Sequence, residues 1–324
     1  MELRQLAYLA AVVEHGGFTA AADALHVAQP GVSAQVRRLE AELGHELLDR
    51  SGRRVRPTAV GAAVLPHARA ALAAVRALRE EVDALDGLLR GRVAVGLVPG
   101  GPAGFVSDLL GRFNAAHPAV EATLTEGDSE SLLALLLDGR LDLVVAGRAG
   151  PPPSGVATAV LLEEPLAAAV APAHALAERG AKAAVSLAEL EAERLISLPR
   201  GSGLRTAFDA GCAAAGARPR IAFEAGDPTV LVQLARRGLG VAILPRVVAS
   251  APGSGLVPLA LGPPELHARM EVAWRAEGPG SPAAQALVAM AREAVADARD
   301  GSARGAARRP RSASARRPSR RPTS

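Results

Sequence analysis

The chain has 324 residues, one cysteine (Cys212) and a net charge of +4. That length supports two or three domains with sizeable cores, while a lone cysteine rules out an internal disulfide framework and suits a reducing cytoplasm. Pro, Gly or charge interrupts every long apolar run, and no basic segment followed by an apolar stretch opens the chain, so neither a membrane span nor a secretory leader is expected.

Leu3, Leu6, Ala7, Ala10 and Val13 recur at helical spacing and predict a first helix with one apolar face. A short alanine-rich helix is predicted from about Thr19 to Leu25, with a turn at His26, Val27 and Ala28. A second helix then opens at Gln29 and Pro30. Proline suits a first helical turn because its missing N–H would be unpaired there anyway. Val32, Val36 and Leu39 are expected to face inward with Leu25, which leaves Gln29, Ser33, Gln35, Arg37 and Arg38 outward. This is a helix-turn-helix, and it makes double-stranded DNA the first partner to consider. In a major groove Gln29 can pair two-pronged with adenine, Arg37 can reach guanine or phosphate, Ser33 a base edge or phosphate, and Pro30 a thymine methyl.

Residues 47–57 read as a short hairpin turning at Ser51-Gly52, with Arg50, Arg53, Arg54 and Arg56 crowded into seven residues. Beside a recognition helix these arginines, like Arg38, are expected to meet backbone phosphates. A solvated basic face is the plainer alternative. Summed charge does not decide the matter, because within residues 1–60 seven basic residues balance seven acidic ones.

Thr58 is the expected N-cap of a long helix over about Ala59–Leu89. Ala68, Val75, Val82 and Leu89 fall at one heptad position and Ala71, Leu78 and Leu85 at the other, a seam suited to a coiled-coil dimer. The same stripe could instead pack on its own domain. Dimerisation would set two recognition helices about one DNA turn apart, to read an inverted repeat.

From Gly91 strands and helices alternate. Strands are predicted at Val93–Val98, Val120–Thr125, Leu141–Ala146, Leu166–Ala171, Leu195–Leu198, Arg220–Glu224, Val241–Leu244 and Met270–Trp274. Helices are predicted at Phe105–His117, Ser129–Asp138, Gly203–Ala215 and Thr229–Arg237. The pattern is α/β with mostly parallel sheets, and some 200 residues imply two subdomains. Beyond about Ala298 the composition is Arg, Ser, Pro, Ala and Gly without apolar periodicity, so a disordered tail is expected over 298–324. Residues 301–324 hold eight arginines and no acid, which leaves the first 300 residues at −4.

Catalysis and metal binding find no support. The seven histidines show no metal-ligand spacing. Ser202 lies in Gly-Ser-Gly rather than Gly-x-Ser-x-Gly, and Cys212 in an alanine-rich helix reads as a small core residue. No cofactor and no enzymatic activity are expected.

Residues 1–62 resemble the winged helix-turn-helix of the LysR-type transcriptional regulators. The opening Met-Glu-Leu-Arg-Gln-Leu-Ala-Tyr-Leu carries the resemblance, together with Gly17-Phe18-Thr19-x-Ala21-Ala22, Gln29-Pro30-x-x-Ser33, Leu39-Glu40-x-Glu42-Leu43-Gly44, Leu47-Leu48-x-Arg50 and Pro57-Thr58-x-x-Gly61. Two residues depart from the family pattern. Ala28 replaces a usual serine or threonine cap, and Ala34 replaces a longer polar or basic side chain. The resemblance implies an α+β multidomain chain: a winged helix-turn-helix DNA-binding domain (1–62), a linker and dimerisation helix (63–90), and a two-lobed α/β effector-binding domain like the periplasmic binding proteins (91–297). It places the first lobe at about 91–162 and 266–295, and the second at about 163–265. It further implies a cytoplasmic, sequence-specific bacterial regulator, homodimeric or homotetrameric, that answers a small-molecule effector, with RNA polymerase a candidate partner and no membrane partner. The alternative is a solute-binding or enzymatic α/β protein with an appended helical domain.

Ligands of two-lobed α/β domains sit beyond strand carboxyl ends and at helix N-termini. Three loops fit that rule: Pro99-Gly100-Gly101, Asp128-Ser129 after Gly127, and Arg200-Gly201-Ser202. Gly226 and Asp227 are expected to add a far wall. With no hydroxyl in the first loop, Ser129 and Ser202 are the favoured polar anchors.

Overall fold

The computed structural model describes residues 1–52, 54–85, 89–180, 184–263, 265–278 and 280–307, with backbone alone at 79–85 and 300–307. Helices α1 (Leu3–His15), α2 (Phe18–Ala24) and α3 (Gln29–Leu43) surround one apolar core. The buried face of α1 is Gln5, Leu6, Leu9, Ala11 and Val12, while Leu3 is exposed, so the expected stripe is rotated. A capping box sets that phase, since the Gln5 side chain accepts from the Glu2 amide at 2.8 Å. Val32, Val36 and Leu39 are fully buried. Leu25 is exposed instead, because α2 ends at Ala24 and Ala21 and Ala22 fill the core. His26 makes the turn at φ +53°, the one non-glycine residue with positive φ among those described. Ala28, as its side chain requires, offers α3 no cap.

The hairpin is shorter than expected. β1 (Leu48–Asp49) and β2 (Arg56–Pro57) pair antiparallel over two residues each. Thr58 ties this wing to the next helix: its hydroxyl donates to the Glu46 carbonyl at 2.8 Å and accepts from the Gly61 amide at 3.0 Å. Helix α4 (Ala59–Leu85) carries Pro66 in its interior, where the ring removes one backbone hydrogen bond. Ala68 is buried and Ala71 packs in the winged-helix core, so the near end of the heptad stripe serves its own domain. Leu78 is exposed. Leu89 packs on the following domain rather than extending the seam, and Val82 and Leu85 lie outside the described side chains.

Ten strands follow, in an order that begins at β4 (Val120–Glu126) and runs through β3 (Gly91–Leu97), β5 (Leu143–Arg148), β12 (His267–Arg275), β6 (Val156–Val170), β10 (Val241–Pro245) and β8 (Arg194–Ser197) to β9 (Arg220–Glu224). β11 (Val257–Leu261) pairs with β6 and with β7 (Ala184–Val185). Strand β6 is the hinge of the architecture. Its first ten residues pair with β12 in one sheet, and from Leu166 it pairs with β10 and β11 in a second. The Leu166 amide bonds the Leu266 carbonyl at 2.7 Å where the two connections cross. The sheets are therefore more mixed than expected, because β6 and β12 run antiparallel to their neighbours β5 and β10.

Each sheet is covered on both faces. In the first lobe α5 (Ala103–Ala116) and α10 (Pro282–Ala307) cover one face and α6 (Ser129–Leu137) the other. In the second, α7 (Gly203–Ala214) packs on one side and α8 (Pro228–Arg236) with α9 (Arg246–Ala249) on the other. Helix α10 runs to Ala307, past the Ala298 boundary expected for disorder. The sequence to that point is rich in helix-forming Ala and Arg and meets no proline until Pro310. Residues 308–324 lie outside the described residues. None of the described helices is long and apolar enough to cross a membrane.

Candidate functional site

Two sites arise from this framework. On α3, Gln29, Ser33 and Arg37 follow one another at four-residue spacing and so share a face, with Pro30 beside them. Gln29 and Ser33 are half-buried, and Pro30, Arg37 and Arg38 are exposed. Arg54 and Arg56 are exposed on the wing, and Arg53 lies outside the described residues. Arg50 is placed differently from expectation. Its guanidinium lies 2.5 Å from a Glu40 carboxylate oxygen and 5.1 Å from the Phe18 ring centroid, so it braces the wing.

Glu40 was passed over as a functional residue. It sits four residues after Val36 on the inward stripe of α3, and that spacing was the available signal. Its Oε1 accepts from the Leu47 and Leu48 amides at 3.0 and 3.2 Å. Glu40→Ala leaves two buried donors unmatched and should cost about 2–4 kcal/mol. Hydrogen exchange checks this: Leu47 and Leu48 lose protection in Glu40→Ala and keep it in Arg50→Met.

The second site is a cavity of about 290 Å3 between the lobes. Pro99, Gly100, Asp128, Ser129, Ser202 and Gly226 line it, so loops from both lobes come together there. Gly101, Arg200, Gly201 and Asp227 are not among its lining residues. Sequence reasoning missed Glu126, Gly147, Gly203, Arg269 and Met270, which strand periodicity alone cannot aim at a cleft.

Most polar groups here are already committed. Asp128 caps α6, accepting from the Ser131 amide at 2.9 Å and its hydroxyl at 2.7 Å, and these bonds hold its carboxyl below the usual range. The Ser202 hydroxyl caps α7 through the Arg205 amide (3.3 Å) and donates to the Pro199 carbonyl (2.9 Å). Asp227 caps α8 through the Thr229 amide at 2.8 Å. Arg269 lies 3.1 Å from Glu163. Behind the cleft Arg148 binds Glu271 through two hydrogen bonds of 2.8 and 2.9 Å. Cys212 is buried on α7, and burial pushes its thiol up to about 11.

The lobes also touch. At Gly100 (φ +66°) an added Cβ would overlap the Pro228 ring, and at Gly203 it would overlap the backbone of Gly147 and Arg148. Helix α6 spans the first lobe from cleft to linker. Its N-cap Asp128 lines the cavity, and its C-cap Asp138 lies 2.5 Å from Arg69 on α4.

Comparison with known proteins matches residues 3–62 to the bacterial regulatory helix-turn-helix protein family, lysR type, and residues 86–296 to the LysR substrate binding domain. The chain is 32% identical over 284 residues to the Escherichia coli K12 DNA-binding transcriptional dual regulator OxyR, covering 87% of this chain and 91% of that protein. Full-length CbnR complexed with its target DNA is similar at 28% identity and TM-score 0.57, over 92% of this chain and all of the other. A full-length OxyR cysteine-to-aspartate variant from Pseudomonas aeruginosa shares the fold, at TM-score 0.67 and 24% identity over 92% and 94% of the two chains.

Proposed function

The chain belongs to the LysR family of bacterial transcriptional regulators, and from that premise we propose how it reads DNA and what sets its response. Gln29, Pro30, Ser33 and Arg37 meet base edges, while Arg38, Arg54 and Arg56 meet phosphates. The observation carrying this assignment is the single outward face of α3, whose arginines have no ion-pair partner among the described residues. Two copies bind an inverted repeat as a homodimer in the cytoplasm, with the exposed Leu78 segment of α4 available to a second copy. RNA polymerase is the partner through which such binding would alter transcription.

A small molecule in the interlobe cavity shifts the population of lobe arrangements. Helix α6 carries that shift to α4 through the Asp138–Arg69 pair, and the Arg140–Glu14 pair (3.6 Å) adds a contact to α1. Although relatives include hydrogen peroxide-inducible activators, one cysteine cannot close an intrachain disulfide, and the Cys212 thiol is buried and protonated. The effector is therefore a bound ligand rather than an oxidant of a cysteine pair.

Footprinting and binding titrations test the DNA assignment. Gln29→Ala and Arg37→Ala should each weaken operator binding by about 1–3 kcal/mol and relax base preference. Arg54→Ala should weaken all sequences alike and lower the salt slope by about 1. No protected site beside the chain's own gene or its neighbours, or an unchanged Arg37→Ala, would overturn the assignment.

A further inference from the structure

We propose that the interlobe cavity selects a small apolar molecule that carries no negative charge; this rests on the cavity being the effector site. Its walls are mainly aliphatic, formed by Val98, Leu198, Leu204, Pro228, Val248 and Met270 among others. At about 290 Å3 it is roughly twice the ~150 Å3 cavity known to accept benzene, which suits a ligand of about ten to fifteen non-hydrogen atoms.

Charge decides the class. Two acids, Glu126 and Asp128, line the cavity, and the bonds from Ser131 keep Asp128 ionised at neutral pH. Arg269 is the one cation among the described lining residues, and Glu163 already neutralises it. Arg148 is held by Glu271, and Arg205 by Asp209 and Glu224.

The ends of α6, α7 and α8 meet the cavity, and an uncompensated helix N-terminus would favour an anion. Each such end is worth about half a charge. Asp128 and Asp227 place a full carboxylate on two of these ends, and the Ser202 hydroxyl already takes a first-turn amide of the third. An entering carboxylate would thus lose its hydration to face like charge without an uncommitted cation. A neutral or ammonium-bearing ligand meets no such penalty.

The test is a fragment screen by saturation-transfer NMR on the full chain, with size-matched neutral, amine and carboxylate sets, each containing benzyl alcohol, benzylamine or benzoate. Gly226→Trp supplies the blocked cleft, because Gly226 lines the cavity and an added Cβ there meets nothing within 4 Å. Cleft hits are those lost in Gly226→Trp. The expected result is that neutral and amine fragments dominate them, and that Glu126→Gln weakens amine binding by about threefold, the scale of one partly exposed charge pair. Carboxylates equal to or outnumbering the others would overturn the charge class and leave the cleft as the effector site. If no fragment of any class is lost in Gly226→Trp while that variant keeps its fold, the cleft assignment falls, and the charge class with it. Should Gly226→Trp unfold, the Glu126→Gln comparison decides, and carboxylate binding that does not rise there overturns the charge class.

Discussion

Gly61→Ala should destabilise the winged-helix domain by about 2–4 kcal/mol and weaken operator binding with it, although Gly61 has no side chain that could read a base. Gly61 lies in the first turn of α4, where the added Cβ would overlap the carbonyl oxygen of Leu47. That carbonyl cannot retreat freely, because it accepts the Thr58 amide at 2.9 Å and Leu47 is fully buried. Either α4 lifts off the wing or the strand carrying Leu47 shifts, and each breaks the Thr58 junction. Overpacking costs about 1–3 kcal/mol and the lost hydrogen bond about 1 more, against about 3–9 kcal/mol of total stability for some sixty residues. The same exchange at Gly31, in open space on α3, should raise stability by up to about 1 kcal/mol through helix propensity. Thermal unfolding of both variants checks the pair. An unperturbed Gly61→Ala would show that the wing and α4 are not locked as described.

The contrast between legible and hidden features follows from range. The helix-turn-helix was readable because its signals are local: Pro30 at a helix start, Val32, Val36 and Leu39 at helical spacing, and glycines at helix ends. The effector loops were readable to the extent that Gly and Pro follow apolar strands. Positions 99, 100, 128, 129, 202 and 226 reach the cavity, and 101, 200, 201 and 227 do not. What stayed hidden depends on partners distant in sequence. Nothing local shows that Glu40 caps two amides of the wing, that Arg50 pairs with it, or that the first half of β6 is a strand crossing between lobes. Short alternation around Val156–Leu161, broken by Glu163, Glu164 and Pro165, gives no strand signal until β12 is set beside it. The charge class of the cleft was equally hidden. The loops pointed to helix N-termini with Ser129 and Ser202 as polar anchors, and only the capping bonds show which amides are spent.

Gly203→Ala should have the largest effect on the response to ligand while sparing the DNA-binding half. Gly203 opens α7 in the second lobe, and the atoms its Cβ would overlap, in Gly147 and Arg148, end β5 in the first. The end of β5 is pinned, since Arg148 is about 12% exposed and bound through two hydrogen bonds to Glu271, which is about 4% exposed. Helix α7 is equally fixed to its own lobe, with Leu204, Phe208 and Cys212 in that lobe's core. Close-packed interiors transmit strain rather than absorb it, so relief must come at the crossing near Leu166 and Leu266, where the lobes swing apart. A closure equilibrium shifted by about 2 kcal/mol lowers the affinity of any ligand that needs both walls by roughly thirtyfold. Operator binding without ligand should stay within about twofold of the parent, and Gly104→Ala, in open space on α5, should change neither quantity. If Gly203→Ala binds cleft ligands as tightly as the parent, closure does not depend on this contact, and the ligand is held by one lobe alone.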